Sequence, residues 1–215
     1  MLTKLLQDWA RRTARGAAQV FVKTPITPNM LTLFGLVLNG VVALLLATGH
    51  LVAGGVVMIL AGLFDLLDGA LAKITNRVSD FGAFLDSVVD RYSEALVLLG
   101  LLLYYYGRPA TDQSGLINHY FLPTDPRVVS IILIYATLFG SMMISYARAR
   151  AGALKIRNEV GILARPERIV LLAVGLLFQT VLLEPVLWVL AIGTQITSIQ
   201  RIVHVWQVTT GKKQG

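Results

Sequence analysis

The chain has 215 residues, of which 55% are hydrophobic and only 14% charged, against about 25% charged in a soluble globular domain; with a mean hydropathy of +0.69 the composition argues for an integral membrane protein. The absence of cysteine excludes disulfides, thiolate metal sites and a thiol nucleophile. The net charge of +7 lies beside apolar stretches, which suits anionic headgroups or phosphorylated substrates and excludes nucleic acid as the expected partner.

Residues 1–22 read as an amphipathic helix. Leu2, Leu5, Leu6, Trp9 and Phe21 are interleaved with Lys4, Arg11, Arg12, Arg15 and Lys23, a pattern suited to the membrane interface; a soluble cap helix is the alternative. No cleavable signal peptide is expected, because a short apolar core followed by a small-residue cleavage site is lacking. Residues 24–29 (TPITPN) break the helix, and Thr27 or Asn29 can cap the next one. Residues 30–48 form the first expected span, nineteen residues that cover most of a ~30 Å core at ~1.5 Å each. Gly49 and His50 make a turn. The second span is 51–67, with its helix continuing to Ile74. A loop at 75–79 follows, and Ser79 or Asp80 caps a third helix over 81–106.

Residues 107–125 are a polar loop and 127–147 the fourth span. A basic connection over 148–168 leads to the fifth helix, where Pro166 suits the first turn. Its apolar part, 169–183, is short. Glu184 and Pro185 make a turn, 186–199 is a sixth and unusually polar span, and the basic tail 201–215 is expected to fray. The predicted fold is therefore all-α: an integral membrane protein with six transmembrane helices preceded by an N-terminal amphipathic interfacial helix. It is a single domain over 1–215, with the interfacial helix in 1–23 and the bundle in 30–209. Lysines and arginines other than Arg91, Arg108 and Arg127 fall in the N-terminal segment, the 73–77 connection, the 148–168 connection and the tail. By the positive-inside rule these segments and both termini face the cytoplasm.

Within this frame the stretch from Asp65 to Asp90 (DLLDGALAKITNRVSDFGAFLDSVVD) stands out. Asp65 and Asp68 are spaced i, i+3; Asp86 and Asp90 are spaced i, i+4. Each pair shares one helix face, and the two arms of a helical hairpin would aim all four at one volume. Four carboxylates at membrane depth require cations. Hard oxygen donors in that number suggest two Mg²⁺, Mn²⁺ or Ca²⁺ ions, a common device for phosphoryl displacement. A purely structural reading pairs the aspartates with Arg91 and Lys73, but two cations cannot balance four carboxylates and Glu94. Glu94 extends the Asp86–Asp90 face by another i+4 step, and its role stays open. His50, His119 and His204 read as surface residues.

The same residues carry a resemblance. Asp65-x-x-Asp68-Gly69-x-x-Ala72-Lys73, eight residues, then Gly82-x-x-x-Asp86-x-x-x-Asp90 resembles the signature of the CDP-alcohol phosphotransferases, D-x-x-D-G-x-x-A-R…G-x-x-x-D-x-x-x-D, at seven of eight fixed positions. The departure is Lys73, which keeps the charge of the family's arginine without its planar fork. The PNxLT run at 28–32 is also similar to the start of the family's first membrane helix. The resemblance implies a cytoplasmic-membrane enzyme that moves a phosphatidyl group from CDP-diacylglycerol to a small alcohol and releases CMP. It implies two Mg²⁺ or Mn²⁺ ions held by Asp65, Asp68 and Asp86, with Asp90 as a ligand or as the general base. Asp68, Gly69, Ala72, Lys73 and Gly82 would bind CDP, and the protein would be a homodimer. SYARARA (145–151) and GILARPER (161–168) resemble the prokaryotic branch whose acceptor is L-myo-inositol 1-phosphate, which implies Arg148, Arg168 and Lys155 as anchors for the acceptor phosphate; the positive-inside rule alone is the blander account of these charges. Glycerol 3-phosphate, giving phosphatidylglycerophosphate, is the second acceptor considered. A divalent-cation transporter is the rival of another class, opposed by acidic groups gathered at one end and by the lack of an internal repeat.

Overall fold

The structure is a computed structural model that describes residues 16, 18–20, 22–108 and 125–211. The expected interfacial helix falls mostly on residues outside this set, as do most of the polar loop with His119 and the last four residues. The described residues 16, 18–20 and 22 are helical, and Ala18 is buried in a small cluster with Leu31, Ala70 and Leu71.

Six long helices follow among the described residues, and no strand. They are α1 (Pro28–Ala47), α2 (Leu51–Ile74), α3 (Asp80–Tyr106), α4 (Pro126–Ala153), α5 (Arg165–Leu177) and α6 (Leu183–Gly211). Helices α1, α2, α4 and α6 are long and apolar enough to cross a membrane. Helix α3 has 27 residues but carries the charges of the Asp80–Glu94 stretch. Helix α5 has 13, roughly 20 Å at ~1.5 Å per residue. The chain is a multi-pass membrane protein, all-helical among the described residues. Its core joins Val42 and Leu46 of α1, Leu101 of α3, Leu176 of α5 and Leu187 and Leu190 of α6, each no more than 1% exposed. Helices α1 and α3 cross in near contact, because a Cβ on Gly100 would lie 2.3 Å from the Ala43 carbonyl oxygen. The outer face of α1 shows Leu33, Phe34, Val37, Val41 and Leu44 exposed, as a lipid-facing helix requires.

Local chemistry sets the helix ends. Thr27 Oγ1 accepts from the Met30 amide at 3.3 Å with Pro28 in the first turn, and Ser79 Oγ accepts from the Gly82 amide at 3.0 Å, so Ser79 is the cap of α3. Helices α1, α2 and α4 end alike. A left-handed residue (Gly49, Asn76 or Lys155) lets the next amide reach back to the carbonyl of Leu45, Ala72 or Ala151, at 2.8, 2.9 and 2.9 Å.

Four boundaries differ from the expected ones. Helix α4 runs to Ala153, so Arg148 and Arg150 sit on a helix; nothing breaks it before Gly152. Helix α5 stops at Leu177, and the turn lies at Phe178–Leu182, where the Val181 and Leu182 amides both bond the Phe178 carbonyl. Glu184 and Pro185 belong to the first turn of α6, where a missing N–H costs nothing. The tail does not fray before Gly211: Arg201 donates to the Val160 and Ile144 carbonyls at 3.0 and 2.7 Å, and His204 Nε2 lies 3.2 Å from the Arg157 carbonyl, so the connection before α5 braces the end of α6.

Candidate active site

The α2–α3 hairpin sets the depth of each aspartate. Asp68 and Asp86 each stand six residues from the hairpin ends of their helices, and Asp65 and Asp90 nine and ten residues, about 9 Å and about 14 Å along the axes. One carboxylate oxygen from each of Asp65, Asp68 and Asp86 lies within 4.8 Å of the others. Asp68 is 5% exposed, and Thr32 Oγ1 from α1 donates to its Oδ2 at 2.6 Å. Three anions this close repel one another strongly away from bulk water, and their hard oxygen donors suit a divalent ion.

Asp90 is outside this trio. Its Oδ1 lies 2.7 Å from Arg165 Nη2, an ion pair without hydrogen-bond alignment, and its Oδ2 lies 3.3 Å from Arg91 Nη1. The other arm of Arg165 donates to Asp65 Oδ2 at 2.7 Å. One guanidinium at the start of α5 thus bridges a carboxylate of α2 and one of α3. Three residues on, Arg168 makes a two-point pair with Glu94, Nε to Oε1 at 2.8 Å and Nη2 to Oε2 at 2.9 Å, and donates Nη1 to the Leu163 carbonyl at 3.1 Å. Arg91 Nη2 donates to Ser145 Oγ on α4 at 2.8 Å. A cavity of about 50 Å³ leads inward from Asp65 and Arg165, past Thr32, Ser93, Glu94 and Arg168.

The remaining candidates fall into two groups. On the hairpin, Lys73 is exposed and makes no ion pair among the described residues, and a Cβ on the exposed Gly69 would meet nothing within 4 Å. The protein's own packing therefore does not require glycine there. A Cβ on Gly82 would sit 3.0 Å from Ser79 Oγ and 3.3 Å from Asn29 Oδ1; Ala72 is half-buried. At the end of α4, Arg148 and Lys155 are exposed. Arg148 lies 3.9 Å from Glu159, which a 2.8 Å hydrogen bond from Arg157 holds below the usual carboxylate range. Arg168, unlike these, is buried and engaged with Glu94.

Two residues of the site were not singled out from the sequence. Arg165 appeared only as one member of a basic run, and its bridging role requires α5 to be docked on the hairpin. Arg201 lies where the sequence predicts a frayed tail and the structure has helix. It is 6% exposed, bonds only carbonyls, and has no carboxylate within ion-pair distance among the described residues. An arginine inside a spanning helix is itself a signal, visible only when the helix is carried past the polar stretch to Gly211.

Comparison with known proteins agrees with this geometry. The sequence profile of the CDP-alcohol phosphatidyltransferases matches residues 25–210. A phosphatidylinositol phosphate synthase of Mycobacteroides abscessus is 33% identical over 192 residues, covering 86% of this chain and 80% of that one. Two crystal structures of the Mycobacterium tuberculosis phosphatidylinositol phosphate synthase superpose closely. The form with CDP-DAG bound gives a TM-score of 0.75 at 30% identity, covering 91% of this chain and 94% of that one. The complex with manganese and citrate gives 0.74 at 31%, covering 90% and 88%. With three carboxylates gathered at the mouth of a helical membrane bundle and a family profile spanning nearly all of it, the chain belongs to the CDP-alcohol phosphatidyltransferase family and is a transferase.

Proposed function

We propose that the chain moves a phosphatidyl group from CDP-diacylglycerol to L-myo-inositol 1-phosphate, releasing CMP, and so acts as a phosphatidylinositol phosphate synthase in phospholipid biosynthesis. The observation that carries this reading is the convergence of Asp65, Asp68 and Asp86 to within 4.8 Å beside a row of arginines. Hard carboxylate oxygens at this spacing fit Mg²⁺ or Mn²⁺, with Asp65, Asp68 and Asp86 as the residues that would hold two ions. When bound, such ions would neutralise the pyrophosphate and stabilise the departing CMP.

Charge supports the assignment. Four aspartates and Glu94 face Arg91, Arg165 and Arg168, which leaves two negative charges. Two divalent ions would turn this into two positive charges, matching the two negative charges of a pyrophosphate diester. Asp90, outside the trio and paired with Arg165 and Arg91 rather than committed to a metal ion, takes the proton of the attacking hydroxyl; a carboxylate bound directly to a divalent ion is the weaker base. The acceptor oxygen then bonds the β-phosphorus as the bond to CMP breaks. Gly69 and Ala72 leave room for the nucleotide beside Asp68, Gly82 brings the start of α3 close to Asn29, and Lys73 supplies a point charge. Buried Arg201, unpaired with any described carboxylate, together with Arg148, Lys155 and Arg168, is the anchor assigned to the acceptor phosphate. This reading includes six membrane helices, an active site and termini on the cytoplasmic side of the cell membrane, and the homodimer implied by the family resemblance. The relatives favour neither glycerol 3-phosphate as acceptor nor ion transport.

The test supplies the purified chain with Mn²⁺ and cytidine-labelled CDP-diacylglycerol, adding L-myo-inositol 1-phosphate, inositol or glycerol 3-phosphate singly. Labelled CMP is expected with inositol phosphate. Preference for either other alcohol overturns the acceptor assignment, and no release with any of them overturns the reaction.

A further inference from the structure

Two arginines on α5 meet two carboxylates on α3 like rungs. Arg168 with Glu94 is the inner rung. Its side chains are 5% and 17% exposed, and its pairing is bidentate. That rung ties α5 to α3 without help from Arg165. Arg165 with Asp90 is the outer rung and differs in kind: the guanidinium is divided between Asp90 of α3 and Asp65 of α2, at 2.7 Å from each. With Arg91 on the other oxygen of Asp90, both oxygens of that carboxylate are engaged by cations of the chain itself. The three aspartates that converge are Asp68, Asp86 and Asp65, the last engaged by Arg165 through one oxygen only.

We infer that Arg165 is a positioning residue: by spanning Asp65 and Asp90 with one guanidinium it keeps Asp90 out of the ion-binding cluster and beside it, as a separate carboxylate for proton transfer. This rests on the two-ion reading above. Asp90 lies four residues from Asp86 on one helix face, so it is placed to join the cluster unless something holds it back. Joining would add a fourth anionic donor for the ions and remove the base. The planar fork is what allows one side chain to reach two carboxylates on different helices, and an ammonium group cannot reproduce it.

The experiment measures Mn²⁺ binding to the purified full chain without substrates, by the electron paramagnetic resonance signal of free Mn²⁺, beside kcat and acceptor KM from CMP release. Arg165→Gln removes a positive charge close to the ions and frees two carboxylates; it is expected to bind Mn²⁺ about tenfold tighter while kcat falls at least about tenfold and acceptor KM changes little. Arg165→Lys retains the charge but releases one carboxylate, so Mn²⁺ should bind tighter than in wild type, though less so than in Arg165→Gln, and kcat should fall because one ammonium cannot span both carboxylates. Unchanged or weaker Mn²⁺ binding by Arg165→Gln, or wild-type kcat in either variant, overturns the inference. A merely structural role would lower thermal stability, ion affinity and turnover together. If Arg165→Gln does not fold, Arg165→Lys decides: lost turnover with tighter Mn²⁺ binding supports the role, and unchanged Mn²⁺ affinity or wild-type turnover removes it. Failure of the two-ion reading shows separately, as a wild-type chain that neither binds Mn²⁺ nor releases CMP.

Discussion

Replacing Arg168 with methionine should separate the structural from the chemical role of the inner rung. The substitution preserves most of the side-chain length but leaves Glu94, 17% exposed and facing the bundle, without either of its 2.8 and 2.9 Å bonds. Stranding one member of a buried ion pair costs about 3–5 kcal/mol. A chain of this length shifts its melting temperature by about 2–4 °C per kcal/mol, so the fall should be roughly 6–20 °C, read by thermal unfolding of the detergent-solubilised protein in EDTA. The double variant Glu94→Met/Arg168→Met removes both charges and fills similar volume, so it should regain most of that loss. Activity should not return with it, because the double variant still lacks a guanidinium for the acceptor phosphate; acceptor KM should stay raised more than donor KM. A single variant that melts within about 2 °C of wild type would mean that the pair is not holding α5 to α3, and the magnitude argument would be wrong. Recovery of acceptor KM in the double variant would confine Arg168 to a structural part.

Other expected outcomes are narrower. Asp68→Asn keeps the Thr32 hydroxyl contact possible but removes one charge from the trio; Mn²⁺ affinity in the resonance titration should drop at least about tenfold, and wild-type affinity would exclude Asp68 as a ligand. Gly69→Ala puts a methyl where the protein offers open space; helix propensity should leave stability unchanged or raise it by about 0.5–1 kcal/mol, while KM for CDP-diacylglycerol rises, and an unaltered donor KM would show that nothing approaches that face. Lys155 holds a φ of 57°, a conformation that costs a non-glycine residue about 1–2 kcal/mol. Lys155→Gly should therefore raise the melting temperature by a few degrees, and a simultaneous rise in acceptor KM would show that the charge at this turn is kept for binding.

Much of this protein is legible along the chain because membrane helices advertise themselves locally. Apolar runs, the Thr27 and Ser79 caps and the glycine or asparagine turns are settled by neighbours within a few residues, and those interactions do not depend on the fold. The spacing of the four aspartates is likewise a helix-geometry fact, visible as i, i+3 and i, i+4. Boundaries failed where distant contacts outweighed local signals. The polar stretch at 194–201 looks like a helix losing its grip, yet it is polar because Thr197 accepts from the Leu163 amide at 3.1 Å and Arg201 bonds two distant carbonyls.

The sequence by itself determined the inventory: an oily helical chain whose paired aspartates, given helical periodicity, must share faces and demand cations. Only the tertiary structure decided which aspartates act together and which cations answer them. Arg165 is 100 residues from Asp65 in the chain, and no periodicity connects them. Their meeting depends on how α5 packs against the α2–α3 hairpin, and that is a property of packed surfaces rather than of residue spacing. The same packing splits four equivalent-looking carboxylates into a cluster of three and a single Asp90 held by arginines.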